Sequence, residues 1–363
     1  MSALAASAAR RRPGAEPFAA TLVRRMFATW HDAAISIVCL AFVIWLLPKL
    51  IGWAFLDAVW SAPNATPCIG KPGACWAVIT ARWRLIIFGL YPFDQHWRSG
   101  LACFAVVTVV VLSCLPVFWR PARLSLLWLG GFLTFYFLMR GGILGLSLVG
   151  TERWGGMALT LFIFTAVAVL GMPMAIILAL ARQSELPAIR GVAGLLIDTV
   201  RALPLLTVLF TAAVILPFVL PDWLIGDKLY RVIYAFALFF ACAQAEIIRG
   251  GLQAIHAGQL EAAKALGLGY WHRTWYIVLP QAFRNSLPAT INQFVITFKE
   301  TSIVIIIGFF EVLASGHAAY GTGDWTSAYA EVYVFIALIY FAFVFSLSRY
   351  GAHLEKRMRL GHD

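Results

Sequence analysis

The stretch Glu261-Ala262-Ala263, followed by Gly267 and then by Ile277-Val278-Leu279-Pro280, lies between two strongly apolar parts of the chain. Glu261 is placed to complement the positive N-terminal end of a short helix. Ala262 and Ala263 keep one side of that helix slim, and Gly267 is suited to stop it in the left-handed conformation. Such a segment is a small knob, shaped to press into a cleft on another protein. Both flanking runs are long enough to cross a bilayer, so the knob is expected at a membrane surface.

Working outward, composition agrees. Of 363 residues 61% are hydrophobic and only 12% charged, and mean hydropathy is +0.83. A soluble domain cannot hide that much apolar surface, so the bilayer is the expected solvent for most of the chain. Backbone groups in lipid must be satisfied internally, which favours helices and an all-α integral membrane protein. Eight membrane helices are expected, near 33–57, 100–118, 124–140, 156–181, 194–220, 230–250, 285–313 and 330–349. Trp30, Trp60, Trp97, Trp119, Trp154 and Trp223 stand near the ends of apolar runs, as interfacial anchors do, and Lys49 is expected to snorkel outward.

The formal net charge of +11 would suit a nucleic-acid partner in a soluble protein. Here the basic residues cluster between apolar runs, which fits membrane topology and lipid contacts. One set of connections carries Arg10, Arg11, Arg12, Arg24, Arg25, Arg120, Arg123, Arg182, Arg190, Arg249, Lys264, Arg273, Arg284, Arg349, Lys356, Arg357 and Arg359. The opposite set carries Lys71, Arg82, Arg84, Arg98, Arg140, Arg153, Lys228 and Arg231. The richer set is cytoplasmic by the positive-inside rule, placing both termini and the Glu261 loop there. The tail reads as a solvated, topology-setting segment, not a cleavable signal, with a targeting role for Arg10–Arg12 as the alternative.

Four segments are expected: a cytoplasmic tail at 1–32; an extension at 33–150 with three membrane helices and an outward loop at 58–98; a core at 151–350 containing the cytoplasmic loop 251–284; and a tail at 351–363. Cys39, Cys103, Cys114 and Cys242 fall in apolar spans and read as buried packing residues. Cys68 and Cys75 lie among Pro and Gly in the outward loop, an oxidising setting in which a disulfide is expected over two free thiols.

From about Thr151 onward the chain resembles the polar amino acid class of ABC importer permeases. The spacing Glu261-Ala262-Ala263, Gly267, Ile277-Val278-Leu279-Pro280 resembles the coupling loop of those permeases. Ala245 to Ile255 leads through Gly258-Gln259 into that loop much as in the class, and Lys299-Glu300-Thr301-Ser302 looks like a second signature. Arg201-Ala202-Leu203-Pro204-Leu205-Leu206 resembles the Arg-Gly-Thr-Pro-Leu-Leu motif. It departs at Ala202-Leu203, and His256 stands where Pro or Asp is frequent. Phe88 to Pro92, and Thr151 to Gly156, resemble the larger permease subunit of broad-specificity L-amino-acid uptake systems.

The resemblance implies a type I ABC importer transmembrane domain, a five-helix core with about three extra N-terminal helices. It further implies a Gram-negative inner-membrane, multi-pass subunit moving L-amino acids from periplasm to cytoplasm by alternating access. Its implied partners are a second, homologous permease in a heterodimer, two copies of an ATPase and a periplasmic amino-acid-binding protein. No Gly-x-x-x-x-Gly-Lys-Ser/Thr loop occurs in the chain, so no cofactor is expected here and ATP with Mg belongs to the partner ATPase. Glu261, Ala262, Ala263, Gly267, Leu279 and Pro280 are then the ATPase-coupling residues; the bland alternative is an interfacial helix on lipid.

Gln293, Thr297 and Glu300 are spaced i, i+4, i+7, on one helical face. With Lys299 they are candidates for the translocation path, because intramembrane polar groups face protein or water. Lys299 and Glu300 read first as ties between neighbouring helices. Asp198 with Arg201, and Glu246 with Arg249, form i, i+3 pairs at cytoplasmic helix ends, as an inner gate or as structural ion pairs. Pro204 is expected to kink span five, and Gly250-Gly251 to permit a tight helix exit. A membrane enzyme is disfavoured: the seven His are scattered, with no His-Glu-x-x-His, no Cys-x-x-Cys and no metal-ligand spacing. An ion-coupled secondary carrier or channel, using Glu246, Lys299 and Glu300, is the alternative function; no internal repeat supports it.

Overall fold

The computed structural model describes residues 26–359, so Arg10, Arg11, Arg12, Arg24 and Arg25 of the basic tail lie outside the described residues. The chain divides into two compact units, Met1–Trp76 and Ala77–Asp363.

In the first unit, α1 (Trp30–Ile51) starts at Thr29, whose side chain accepts from the Asp32 N–H, satisfying one orphan donor. None of its residues is buried, as expected of a helix whose solvent is lipid. The Lys49 ammonium lies 3.8 Å from the Trp45 ring centroid, so its charge has an aromatic face as partner. A π turn, Gly52–Leu56, leads into a loop closed by the Cys68–Cys75 disulfide, with Cα atoms 5.7 Å apart. The loop folds back on the end of the helix: Ala74 N–H donates to Trp53 O at 2.7 Å, and Trp76 Nε1 to Ala54 O at 2.7 Å.

The second unit is built from α2 (Ala77–Phe88), α3 (His96–Ser113), α4 (Pro121–Arg140), α5 (Gly156–Arg182), α6 (Pro187–Ala202) and α7 (Leu205–Phe210). After α7 the chain runs through a π turn at Thr211–Ile215 to Val219. Then come α8 (Lys228–Gln253), α9 (Ala257–Ala265), α10 (Tyr270–Arg273), α11 (Leu279–Glu300), α12 (Val312–Gly321) and α13 (Tyr329–Arg359). Seven helices among the described residues are long and apolar enough to cross a membrane, or eight if the bent pair α6 and Leu205–Val219 counts as one.

Span five is the main departure from expectation. α6 and the following segment meet at 102°. Pro204 supplies the break: it lacks an N–H and drives the residue before it out of the helical region, and Leu203 is extended at φ −87, ψ 142. The outward loop also holds more structure than expected, since α2 lies inside 58–98. Gly250 and Gly251 sit within α8, which continues to Gln253, so they do not mark its exit.

The core lies where α5, α6, α8 and α11 meet, built from small residues (Ala175, Ala179, Ala241, Ala245 and Ala282) around Ile197, Ile248 and Leu252. Small side chains let membrane helices approach closely, which is where dispersion contacts accrue when the solvent is already apolar. Gly251 shows how close: a Cβ there would lie 2.3 Å from Ala282 O. Two residues read as surface groups are interior. Trp154 is buried edge-on against Phe135 and Phe162, not placed at a membrane interface. Arg98 is buried, donating to Leu138 O at 2.7 Å and Ser147 O at 3.0 Å, so it satisfies one carbonyl at the end of α4 and one in the loop that follows. Of the four free cysteines only Cys242 is buried; Cys39 is exposed.

Candidate coupling and translocation site

α9 is the knob. His256 caps it, Nδ1 accepting from the Gly258 N–H at 3.2 Å, while Glu261 lies beyond the first turn and complements no orphan N–H there. The other end closes as expected. Gly267 is left-handed at φ +71; its N–H reaches Lys264 O at 2.9 Å, and Leu268 N–H reaches Ala263 O at 3.2 Å. That pair of bonds is a Schellman closure, which lets the helix stop within one residue. Glu261 and Ala262 are exposed, whereas Ala263 faces inward and is buried. A slender, polar-edged helix is thus presented outward on an apolar heel.

The knob is joined to α11 through α10 and a π turn, Thr274–Val278. Pro280, at the second position of α11, has no N–H to offer Tyr276 O, and the wider turn absorbs the missing bond. Leu279 is buried beside it and Pro280 is exposed. Gln281 Nε2 donates to Ile277 O at 2.9 Å. The same Gln281 Nε2 lies 3.5 Å from Gln259 Oε1 of α9, so α9 and α11 are joined both along the chain and by this side-chain contact.

On α11, Gln293 and Thr297 are buried, Lys299 is exposed and Glu300 is half-buried. One turn earlier on the buried face stands Thr290, whose Oγ1 accepts from Gln244 Nε2 of α8 at 2.8 Å. Thr297 Oγ1 and Gln244 Oε1 are buried with no hydrogen-bond partner among the described residues. Sequence reasoning missed Gln244, although a Gln inside the apolar run of α8 was the available signal.

The ion pairs are arranged differently from the expected i, i+3 couples. Glu246 and Arg249 do pair, at 2.7 Å. Asp198 does not pair with Arg201; it meets Arg182 at the end of α5, at 3.0 Å. Arg182 also reaches Glu246 at 3.1 Å, and Arg201 approaches Glu246 at 3.9 Å. Glu246, 12% exposed, is thus the hub of three arginines drawn from α5, α6 and α8. Nothing in the spacing of Arg182 announced it, because its partners come from other helices. Among the described residues no group of His, Cys, Asp and Glu is arranged to hold a metal ion.

Comparison with known proteins decides the family. The profile of the binding-protein-dependent transport system inner membrane component matches residues 171–360. The chain is 39% identical over 343 residues to the inner membrane amino-acid ABC transporter permease protein YhdY of Escherichia coli, covering 93% of this chain and 92% of that protein. The chain belongs to the polar amino acid class of ABC importer permeases. It is also 33% identical to the glutamate/glutamine/aspartate/asparagine transport system permease protein BztC of Rhodobacter capsulatus, over 91% of each chain. A crystal structure of an amino acid ABC transporter with histidines is similar over 56% of this chain and 92% of that one, at 32% identity and TM-score 0.49. Membership makes this a multi-pass permease subunit and implies an ATPase and a substrate-binding protein as partners. Both alignments extend well beyond the core, covering 93% and 91% of this chain.

Proposed function

We propose that this permease carries L-amino acids from periplasm to cytoplasm across a Gram-negative inner membrane, by alternating access driven from α9. The observation that carries the reading is the knob: an exposed, slender helix closed at Gly267 and linked through one π turn to α11. Closure of the ATPase pair, which holds ATP and Mg, pushes on Glu261, Ala262 and their neighbours. Leu279 and Pro280 pass the displacement into α11 as a rigid-body movement. By the positive-inside rule, the richer basic set of connections supports a cytoplasmic position for this face and both termini. The names of YhdY and BztC favour amino acids, acidic ones and their amides among them.

A second, homologous permease completes the assembly with two ATPase copies and a periplasmic amino-acid-binding protein. Of the four candidate path residues, Gln293 and Thr297 are buried, while Lys299 and Glu300 remain accessible on α11. In this reading Lys299 and Glu300, which the sequence suggested first as ties between helices, instead meet the zwitterion at a face completed by the second permease, and Gln293 and Thr297 hold α11 in position.

Gly267→Asp tests the coupling. Nothing lies within 4 Å of a Cβ at this position, so the substitution costs only the left-handed strain, about 1–2 kcal/mol, and the spans stay inserted. Substrate-stimulated ATP hydrolysis of the reconstituted complex should fall at least tenfold. Normal stimulation in that variant overturns the proposal.

A further inference from the structure

A groove of about 580 Å³ runs along the half of α5 nearest the coupling loop. Its walls are Met172, Ile177 and Leu180 of α5, Ile189 of α6, and Trp271 and Trp275 beyond the knob. The lining is almost wholly apolar, yet Ile177 is 66% exposed, Trp271 63% and Trp275 53%. From Met172 to Ala181 the groove follows α5 for about 14 Å at 1.5 Å per residue. That is roughly half of the ~30 Å hydrocarbon core, the depth of one leaflet.

Two independent features set the level of its mouth. α6 meets the next membrane segment at 102°, so it runs along the membrane surface when that segment stands upright. Val192, Leu195 and Leu196 make an exposed apolar stripe on it, while Asp198 and Arg201 turn to Arg182 and Glu246. This is the form of a helix lying in the headgroup plane. Tyr270, Trp271 and Trp275 stand at the same rim, where amphipathic rings collect. Arg190 is exposed one residue past Ile189, and Arg273 lies with its guanidinium 5.9 Å from the Tyr270 ring. Neither forms an ion pair among the described residues. Glu185 is the acid nearest in sequence to Arg190 and Glu261 the acid nearest to Arg273, and neither forms an ion pair with them among the described residues.

We propose that this groove holds one acyl chain of an anionic glycerophospholipid, its phosphate at Arg190 and Arg273 and its chain along α5. The proposal rests on the functional reading only in calling that leaflet cytoplasmic. Since Trp271 and Trp275 belong to the link between α9 and α11, an occupied groove also braces the coupling path.

The test uses the full assembled complex, gently extracted, with phosphatidylglycerol and phosphatidylethanolamine as probes in native mass spectrometry. Phosphatidylglycerol should be retained at least fivefold over phosphatidylethanolamine, and the double variant Arg190→Gln, Arg273→Gln should bring the two level. A photoreactive benzoylphenylalanine replacing Ile177 should join to lipid in vesicles containing phosphatidylglycerol. Equal retention of both headgroups by the unaltered protein, an undiminished preference in the double variant, or cross-linking at position 177 to another protein chain each overturns the proposal. Failure of the Gly267→Asp prediction would leave this lipid result untouched, and the reverse also holds.

Discussion

Glu311 lies in the connection between the spanning helices α11 and α13, where it begins α12. Its carboxylate accepts from the Leu313 N–H at 2.8 Å and the Ala314 N–H at 2.9 Å, and Tyr340 OH reaches it at 3.4 Å. Burial outweighs these bonds and pushes its pKa up from 4.5 to about 7. Because the folded value is raised, this group's favourable contribution is complete below about pH 4.5 and is lost as pH climbs through 7. Glu311→Gln should flatten the fall in thermal stability between about pH 5 and about pH 8, measured as Tm in detergent. An unchanged pH profile would assign that fall to other groups. At Glu246, replacement by Ala strips three arginines of their shared partner. The arginines are partly exposed, Arg182 by 22% and Arg201 by 45%, so the loss is discounted from a fully buried pair to about 1–3 kcal/mol. Asp198→Asn, on a side chain 60% exposed, should cost less than about 1 kcal/mol. Equal Tm losses for the two variants would contradict Glu246 as the hub.

Among the elements, α8 and α11 approach closely. A Cβ at Gly251 would meet the backbone oxygen of Ala282 at 2.3 Å and Ser286 Cβ at 3.0 Å. Backbone cannot yield as a side-chain tip does, so the helices must part. Gly251→Ala should destabilise by about 1–3 kcal/mol, whereas Gly250→Ala, with nothing within 4 Å, should be neutral or slightly stabilising through helix propensity. Paired thermal melts check the contrast; matching losses would refute the close-approach account. α9 was the most legible element, because a Schellman closure needs one glycine at one place and Gly267 stands there. α6 was the least legible. Its apolar content suggested continuation into the next segment, and Pro204 was expected to kink span five where it breaks it at 102°.

For the whole molecule, the mostly helical membrane fold and the permease family follow from long apolar runs and from motifs at fixed spacing, and the relatives agree. The proposed energy source has its own consequence. In proteoliposomes, amino-acid uptake should require the ATPase and ATP and persist when an ionophore collapses ion gradients. Uptake by this permease without an ATPase, abolished by the ionophore, would instead establish an ion-coupled carrier. The N-terminal extension was legible as membrane helices but not in its packing. Trp154 and Arg98 read as surface groups because their types favour interfaces and loops, yet each is enclosed by residues brought from elsewhere in the second unit.

By itself the sequence determined what is short-range: which runs enter lipid, where the knob stops, and which two cysteines share a loop. Hydropathy, φ preference and chain proximity act over a few residues, so they can be read along the chain. Tertiary structure alone decided that Asp198 turns to Arg182 instead of Arg201, that Glu246 gathers three arginines, and that Gln244 meets Thr290. Ion pairs and hydrogen bonds form with whichever group comes within about 3–4 Å, and only helix packing sets that distance.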